Sequence, residues 1–479
     1  MAAPNREPPA GLSRPGWRNR GAVFLGKALI ESTRMLKQGG TTLPGRAALK
    51  VSPQLISFLS RQLAGDTVAI TGTNGKTTTA ALLAATFKQA GRDCVHNAAG
   101  ANLSWGIATT LIEAATWKAE LAPQNAVLEI DEGAFPALSK SLRPRTAVVT
   151  NIFRDQLDRF GGTWQVRKAI QEGLQALPPG ALLLLNADDP LVASLGGGAA
   201  ETLYYGLELP PPASTAPAAP KKPEVPCPRC DQKLLYSRLY FAHLGRYRCP
   251  SCGFIRPEPG FKLRPAASFG KNGALQLILQ GRALEAALPL PGVYNLYNAL
   301  AAAAAASACG LPDAAIMKAL SAAAPPAGRM EQHRIGSKNL LTALVKNPAG
   351  TDAVLRTLAA ETRAEPVHFL IAINDRPADG TDSSWLWEAD FEQLAALRPR
   401  PGSVILSGTK AGEVKLRLEK AGFDRAGLTA VLSLPGAFRK AVAATAPGEK
   451  LIILANYTAM RQLRRLIDRN PLPPPTSHL

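Results

Sequence analysis

The sequence predicts an α/β protein with a central doubly wound domain, a four-cysteine ribbon inserted in that domain, and a second α/β domain at the C-terminal end. Three observations support this fold class. A glycine-rich turn joins an apolar strand to a helix at residues 70–79. Apolar strands alternate with helical segments in both halves of the chain. Four cysteines recur as two Cys-x-x-Cys pairs.

The glycine-rich turn reads Ile70-Thr-Gly-Thr-Asn-Gly-Lys-Thr-Thr-Thr79 and follows the apolar run 66–70. Such a turn aims backbone N–H groups and a helix N-terminus at one point, which suits phosphate. Lys76 is expected to reach the terminal phosphates of a nucleotide, and Thr77 to bind Mg²⁺. Ile70 stands where the common P-loop has its first glycine, so we predict a tighter variant. The residues assigned to the nucleotide are Gly72, Thr73, Asn74, Gly75, Lys76, Thr77 and Thr78.

The strand and helix pattern on both sides of this turn predicts two parallel sheets. The first half carries predicted strands at 68–71, 126–130, 146–150 and 181–185, with a helix at 80–90. A long alanine-rich helix is predicted at 298–308. The second half carries predicted strands at 340–345, 367–373, 403–407 and 450–454.

Four cysteines form the pattern Cys-x-x-Cys, eighteen intervening residues, Cys-x-x-Cys. They are Cys227, Cys230, Cys249 and Cys252. Two knuckle-like turns at this spacing bring four thiolates into a tetrahedron around Zn²⁺, and disulfides are disfavoured in a cytosolic protein. Four thiolates close the site, so we predict a structural zinc ribbon. Cys94 and Cys309 are expected to be buried small hydrophobes.

We predict four regions along the chain: a basic, helical segment at 1–47; a central nucleotide-binding domain at 48–328, with the ribbon at 224–257; a C-terminal α/β domain at 329–467; and a disordered tail at 468–479. Residues 210–226, rich in proline and alanine, are expected to be the linker into the ribbon.

The 479-residue chain has a net charge of +19 and a hydrophobic fraction of 46%, which allows sizeable cores. It contains no apolar run of the ~20 residues that a membrane span needs, and no signal peptide is visible, so we expect a cytoplasmic protein. No nucleic-acid motif accompanies the charge, and anionic small molecules, a phosphorylated lipid or an acidic partner explain it equally well. Residues 22–37 fit either a solvated amphipathic helix or one that contacts an anionic membrane surface.

Polar side chains follow several of the predicted strands, at the edge where open α/β sheets bind ligands. Glu129, Asp131 and Glu132 lie just after a strand, where carboxylates can hold Mg²⁺ beside phosphates. Thr150-Asn151 and the run Asn186-Ala-Asp-Asp-Pro190 follow two further strands. Each motif alone also fits an ordinary turn or helix cap.

As an ordered set these motifs resemble the Mur ligase family, which uses ATP to make an acyl phosphate that an amine then attacks. The matching residues are Thr71-Gly-Thr-Asn-Gly-Lys-Thr77, Thr150-Asn, Arg154-Asp-x-x-Asp158, Asn186-Ala-Asp-Asp-Pro, Gly292-x-Tyr-Asn-x-x-Asn-Ala-Leu300 and Gly328-Arg-Met-Glu331. The resemblance implies that Lys76 and Thr77 serve the phosphates and Mg²⁺, and Glu129 a second metal. Asn295 or Asn298 would lie near the adenine, and Arg329 near the phosphates.

The ribbon and three further motifs resemble the MurT branch of that family: Glu129-Ile-Asp-Glu-Gly133, Lys346-Asn-Pro-Ala-Gly350 and Asn374-Asp-x-x-Ala-Asp-Gly-x-Asp-x-Ser-Trp385. This branch supplies the ligase subunit of lipid II isoglutaminyl synthase and pairs with the glutaminase subunit GatD. The resemblance implies amidation of the D-glutamate α-carboxylate of lipid II at the inner membrane face. It also implies that Asp382 completes the partner's Cys-His pair, with Asp375 and Asp379 as alternatives and a plain turn aspartate as the structural alternative.

Two departures from amino-acid-adding Mur ligases stand out. Gln156 replaces a histidine metal ligand, and Ile170 stands where those enzymes often have a carbamylated lysine, with Lys168 two residues early. An amino-acid-adding Mur-type or folylpolyglutamate-type ligase is the alternative enzyme. A zinc-ribbon, nucleic-acid-binding ATPase is the alternative from another class, and nucleic-acid-stimulated ATP turnover would distinguish it.

Overall fold

The computed structural model describes residues 16–35, 42–155, 162–198, 200–210, 225–265, 275–325, 328–361, 367–395 and 402–469. The chain forms two compact units. The first unit comprises Met1–Ile152, Trp164–Pro289 and Val293–Ala323, and the second comprises Phe153–Thr163, Leu290–Gly292 and Ala324–Leu479. The domain limits drawn from the sequence stay a prediction. The predicted linker falls mainly on 211–224 and the predicted tail on 470–479, both outside the described residues.

The first unit is built on a nine-stranded sheet with helices packed against it. Its strands are β1 (Thr67–Thr71), β2 (Cys94–His96), β3 (Asn125–Glu129), β4 (Thr146–Val149), β5 (Leu182–Asn186), β6 (Glu201–Leu207), β9 (Phe261–Pro265), β10 (Leu275–Leu279) and β11 (Arg282–Ala286), with β7 (Leu235–Phe241) and β8 (Leu244–Arg248) forming a separate hairpin. Its helices are α1 (Trp17–Met35), α2 (Leu43–Val51), α3 (Leu55–Ser60), α4 (Lys76–Gln89), α5 (Ser104–Ala114), α6 (Phe135–Leu142), α7 (Thr163–Gln175), α8 (Pro190–Ala193), α9 (Val293–Ala308) and α10 (Asp313–Ser321).

The sheet order is β11-β10-β9-β6-β5-β4-β1-β3-β2. Strands β2 to β6 and β9 run parallel with β1, whereas β10 is antiparallel to both β9 and β11. Every residue of β1, β3 and β4 is buried, as expected for parallel strands covered on both faces. Because β3 and β4 flank β1 on opposite sides, the chain changes direction across the sheet beside β1, where α/β folds bind ligands.

The fold class is confirmed, and the predicted strands of the first sheet differ from the observed ones by about one residue at an end. Three helices begin earlier than predicted. Helix α4 begins at Lys76, α9 at Val293 and α1 at Trp17. Helix α4 begins with a lysine and three threonines, and α9 begins with Val-Tyr-Asn. These residues do not show the apolar periodicity by which the start of a helix is predicted.

The second unit contains a six-stranded sheet of order β12-β13-β17-β14-β15-β16. Strand β12 is antiparallel to β13, and the other neighbours run parallel. The strands are β12 (Arg329–Ile335), β13 (Lys338–Leu344), β14 (Val367–Ala372), β15 (Val404–Ser407), β16 (Leu428–Ala430) and β17 (Lys450–Ala455). The helices are α11 (Pro348–Glu361), α12 (Trp385–Glu388), α13 (Glu392–Ala395), α14 (Ala411–Lys420), α15 (Leu434–Ala444) and α16 (Tyr457–Asp468). No helix in these described ranges is long and apolar enough to cross a membrane.

The ribbon cysteines come together in the first unit. Their four Sγ atoms lie within 4.8 Å of one another, and all four are free of disulfides. Four Zn–S bonds of about 2.3 Å at tetrahedral angles would separate the sulfurs by about 3.8 Å, so the cluster is close to the size that zinc needs. Cys94 and Cys309 were expected to be buried but are only partly so.

Two equivalent turns hold the sulfurs in place. The Cys227 N–H donates to Gln232 O and the Cys249 N–H to Phe254 O, each at 2.7 Å. Asp231 (φ 64°) and Gly253 (φ 73°) follow the second cysteine of each pair in the left-handed region, which lets the chain turn back toward the cluster. Tyr247, Phe254 and Leu234 pack around the cysteines as a small core.

The ribbon is fastened to the main sheet through Asp188, which has no solvent exposure. Arg256 of the ribbon lies 2.5 Å from the Asp188 carboxylate, and the Gly245 N–H of the β7–β8 hairpin donates to Asp188 O at 2.9 Å. The same carboxylate accepts from Leu207 N at 2.7 Å and from the Tyr297 hydroxyl at 2.8 Å. One buried carboxylate therefore joins β6, α9 and the ribbon.

Replacing Arg256 with Met should destabilise the first unit by about 3–5 kcal/mol, because it leaves the Asp188 charge buried without its cation. Arg248→Met is the matched control, since Arg248 lies in the same ribbon but is exposed, and it should change stability by less than about 0.5 kcal/mol. Urea unfolding of both variants measures the difference. Equal midpoints for the two would show that the buried pair contributes nothing.

Candidate functional site

The glycine-rich turn between β1 and α4 is the centre of the candidate site. Gly72 (φ 117°) and Gly75 (φ 89°) adopt backbone conformations that L side chains rarely take. A Cβ at Gly75 would collide with Asn298 Oδ1, and one at Gly72 with Thr150 Oγ1. Glycine is therefore required at both positions by close approach as well as by conformation.

Lys76 begins α4 and turns its ammonium group back over the turn. Its Nζ donates to Gly72 O at 2.5 Å and to Glu132 Oε1 at 3.0 Å, and the two side chains of this ion pair are 10% and 7% exposed. Burial lowers the pKa of Lys76, but the carboxylates of Glu132, Asp131 and Glu129 outweigh burial and raise the pKa above its ordinary value. Lys76 therefore stays charged at neutral pH.

The acidic residues after β3 lie against the same turn. Glu129 is 2% exposed, and its Oε2 is buried without a hydrogen-bond partner among the described residues. Asn97 fixes the Glu129 backbone, because its amide donates to Glu129 O at 2.9 Å and accepts from Glu129 N at 3.0 Å. An unpartnered, buried carboxylate oxygen fits a divalent cation, which prefers hard oxygen ligands. The Glu129 carboxylate is therefore suited to Mg²⁺, and a metal-binding role for Thr77, in the first turn of α4, stays a prediction.

Residues after β4 hold the turn in shape. Asn151 Oδ1 accepts from Asn74 N at 2.9 Å, Asn151 O accepts from Thr73 N at 2.8 Å, and Thr150 Oγ1 donates to Asn74 O at 2.8 Å. Asn186 donates to Thr150 O at 2.9 Å, and Asp189 accepts from Ile152 N at 2.8 Å. The Thr150-Asn and Asn186-Ala-Asp-Asp motifs thus hold the glycine-rich turn in position.

Asn295 and Asn298 lie on the first turns of α9, where both are buried. The Asn298 amide donates to Asn295 Oδ1 at 3.1 Å, and its own Oδ1 faces Gly75. The first unit therefore brings this pair against the glycine-rich turn. Their placement beside an adenine stays a prediction.

Arg329 opens β12 in the second unit. The pairing of β12 with β13 shifts between Arg329 and Glu331, so Met330 is an extra residue, a β-bulge, with φ 58°. Met330 is nevertheless 3% exposed, so its side chain is packed inside. Glu331 accepts from Gly328 N at 2.6 Å and pairs with Arg464 at 3.1 Å, which fixes the chain on both sides of the bulge.

A shallow cleft in the second unit gathers motifs from three distant parts of the sequence. Asp155 pairs with Lys346 at 2.8 Å, and Arg154 pairs with Glu388 at 3.0 Å. Asp382 lines the same cleft. The Arg-Asp motif, the Lys-Asn-Pro motif and the Asp-x-Ser-Trp motif are therefore neighbours in space.

The three candidate aspartates have different surroundings. Asp379 caps α16 by accepting from the Thr458 N–H at 2.7 Å, and Asp375 accepts from the Thr409 hydroxyl at 2.7 Å. Asp382 accepts from Ser384, from N–H at 2.8 Å and from the hydroxyl at 3.0 Å, within its own turn. The capping role considered from the sequence is therefore present, and it leaves the Asp382 carboxylate at the mouth of the cleft. A role for Asp382 in a partner's triad stays a prediction.

The structure describes one of the two positions at which the sequence departs from amino-acid-adding ligases, and the other lies outside the described residues. Ile170 is fully buried in α7, and Lys168 is exposed on the same helix. The structure therefore provides no inward-facing lysine near position 170. Gln156 and Asp158 lie outside the described residues.

Sequence reasoning missed several contacts. It grouped Glu132 with Glu129 but did not pair it with Lys76, and it passed over Asn97, Tyr297 and Arg256. The Lys76–Glu132 pair joins the carboxyl ends of adjacent strands β1 and β3, so strand order would have revealed it. The Asp188–Arg256 pair spans 68 residues, and no local signal announces it.

Comparisons with known proteins agree with this geometry. The family described as Mur ligase middle domain matches residues 70–210, and the one described as MurT ligase C-terminal matches residues 344–460. A structure of a pseudomurein peptide ligase type C from Methanothermus fervidus aligns with a TM-score of 0.63 at 26% identity, covering 86% of this chain and 80% of that chain.

Two curated relatives carry the same name, lipid II isoglutaminyl synthase (glutamine-hydrolyzing) subunit MurT. The chain is 35% identical over 400 residues to the Staphylococcus aureus protein, covering 84% of this chain and 87% of that protein. It is 32% identical over 434 residues to the Streptococcus pneumoniae protein, covering 89% and 92%. At these identities over most of both chains, the protein belongs to the MurT family of Mur ligase-like proteins.

Proposed function

We propose that this chain is the ligase subunit of a lipid II isoglutaminyl synthase. It would convert the α-carboxylate of D-glutamate in the lipid II stem peptide to an amide, using ATP and ammonia from a glutaminase subunit, GatD. One observation carries the proposal. The match to the Mur ligase middle domain contains the phosphate-binding turn, and the match to the MurT C-terminal family contains the Asp382 loop, in a single chain.

The reaction has two steps. An oxygen of the substrate carboxylate attacks the γ-phosphorus of ATP, and ADP leaves with the electrons of the broken P–O bond. Ammonia then attacks the acyl carbon, phosphate leaves, and a proton passes to solvent. Lys76 would neutralise charge on the transferred phosphoryl group, and the main-chain N–H groups of the turn would cradle the phosphates.

The remaining residues have supporting roles. Thr77 and Glu129 would hold Mg²⁺, which stabilises negative charge on the phosphates when bound. Asn295 or Asn298 would lie near the adenine, and Arg329 would approach the phosphates. Cys227, Cys230, Cys249 and Cys252 would hold a structural zinc, since four thiolates leave no open position.

Ammonia as the nucleophile fits the acceptor side of this chain. The fully buried Ile170 stands where amino-acid-adding Mur ligases often carry a modified lysine. An enzyme that adds an amino acid is therefore the weaker candidate. A cytoplasmic protein that meets lipid II peripherally, at the inner membrane face, accounts for the net charge of +19 and for a chain whose described helices are unsuited to a span.

Lys76→Ala should lower ATP-dependent amidation roughly a hundredfold or more, because it removes a charge aimed at the developing phosphoryl charge. It also leaves Glu132 buried without its partner, so stability must be measured in parallel. The double variant Lys76→Met/Glu132→Gln removes both charges and should restore stability but not activity. Lys88→Ala, on the exposed end of the same helix, is the control. Near-normal turnover in a folded Lys76 variant would refute the assignment.

Asp382→Asn should sharply lower glutamine-driven amidation in the assembled complex while leaving ammonium-driven amidation intact. Asn caps a turn about as well as Asp, so the local structure is retained and only the charge is lost. Asp424→Asn is the matched control, because Asp424 also caps a turn in the second unit and is exposed. Undiminished glutamine hydrolysis in the Asp382 variant would show that the shared triad is wrongly assigned.

Native protein purified without chelators should contain about one zinc per chain by elemental analysis. Replacing both Cys227 and Cys230 with Ser should remove it and unfold the ribbon, because metal binding supplies folding free energy to so small a module. ATP binding is expected to persist, although the first unit loses the Arg256 contact and becomes less stable. Cys94→Ser, outside the cluster, should keep the metal. Zinc-free native protein would contradict the ribbon assignment.

A further inference from the structure

Helix α1 carries large apolar side chains on two opposite faces. Its inner face is buried through Ala22, Val23, Gly26 and Ile30. Its outer face exposes Trp17 by 77%, Phe24 by 62%, Leu25 by 37% and Met35 by 86%. The outer face of a helix packed on a core is normally polar, so this exposed row requires an explanation of its own.

The four outer residues lie on one side of the helix, with Gly21, Ala28 and Ser32 between them. At 100° per residue, Trp17, Phe24, Leu25 and Met35 fall within one apolar stripe. Eighteen rises of 1.5 Å separate Trp17 from Met35, so the stripe is about 27 Å long. Trp117, which follows α5 and is 52% exposed, extends the stripe sideways, since its ring lies 5.5 Å from the Phe24 ring.

Basic residues border the stripe. Arg20, Lys27 and Arg34 recur every seven residues along one side of it, and Arg18 lies on the other side, 5.4 Å from the Trp17 ring. Two acidic residues face this border, Glu31 on α1 and Glu113 on α5, and both pair with Arg34. Arg18, Arg20 and Lys27 therefore leave the border positively charged, with Lys27 5.8 Å from the Trp117 ring.

We propose that this surface, defined by Trp17, Phe24, Leu25, Met35 and Trp117 with Arg18, Arg20 and Lys27, binds the interface of an anionic lipid bilayer. Exposed tryptophan and phenylalanine beside basic residues is the composition of a helix that lies in the plane of a membrane interface. Exposed apolar side chains along one side of a helix fit a flat surface, and a cationic border complements anionic headgroups within a Debye length.

The inference deepens the proposed function and rests on it for one element only, the lipid-linked substrate. A ligase that acts on lipid II must bring its site to the bilayer, and a surface that holds the enzyme there raises the encounter rate. The binding of the bilayer itself follows from the exposed residues of α1 and can be tested without any substrate.

The test is sedimentation of the full-length protein with vesicles, either of phosphatidylglycerol and phosphatidylcholine or of phosphatidylcholine alone. Wild-type protein should bind the anionic vesicles, and the binding should weaken as salt rises. Trp17→Ser/Phe24→Ser should bind at least tenfold more weakly, and Arg20→Gln should reduce the preference for anionic vesicles. Trp164→Ser is the matched control, because Trp164 is 56% exposed on α7, away from the stripe, and it should bind as wild type does.

Two outcomes would overturn the inference: wild-type protein that does not bind anionic vesicles, or unaltered vesicle binding by the double variant. If the double variant keeps vesicle binding but loses the glutaminase subunit, the stripe is assigned to a protein partner instead. Amidation of a water-soluble lipid II analogue without vesicles keeps the two proposals separate. If the wild-type complex fails to amidate this analogue, the proposed function is contradicted. If the double variant amidates the analogue normally but no longer binds vesicles, the proposed membrane-binding surface is supported.

Discussion

Asp188 is a carboxylate without solvent exposure, and four parts of the first unit meet on it. The β6 backbone, the α9 tyrosine, the ribbon arginine and the β7–β8 hairpin all donate to this one residue. Desolvating the charge is costly, and only a full set of donors offsets that cost. The neighbouring Asp189 and Asn186 bond to the chain after β4, which in turn holds the glycine-rich turn. The placement of the ribbon, β6 and α9 therefore depends on one buried anion, and its neighbours in the sequence help to hold the candidate site.

The glycine-rich turn also contains buried charged groups that neighbouring residues hold in place. A lysine and three carboxylates lie together in a buried cluster, and the carboxylates raise the pKa of the lysine. Hydrogen bonds of the Asn97 and Asn151 side chains to backbone groups hold the cluster and the turn beside it, and they restrict rearrangement. Such preorganisation is what an enzyme needs to stabilise charge that develops only during phosphoryl transfer.

Much of this arrangement could be predicted from the chain. Buried parallel strands appear as continuous apolar runs, so β1, β3 and β4 were found to within about a residue, and the cysteine spacing predicted a cluster that the structure contains. The contacts that the sequence did not reveal join residues that are far apart along the chain. Nothing in the sequence near Arg256 indicates that it contacts Asp188. Asn298 was predicted to lie near an adenine, but the sequence did not place its amide against Gly75. The start of α4 was missed because a lysine and three threonines conceal the helical period.

The bulge at Met330 has a consequence for how this protein can tolerate a change of length. Because Arg329 and Glu331 pair with adjacent residues of β13, the sheet would keep its register if the intervening residue were deleted. The bend of the strand would be lost, and with it the direction in which Arg329 leaves the sheet. Deleting Met330 would thus alter where one guanidinium points, and it would also remove a buried side chain from the core of the domain. The direction of this side chain therefore depends on the number of residues in the strand as well as on the identity of its neighbours.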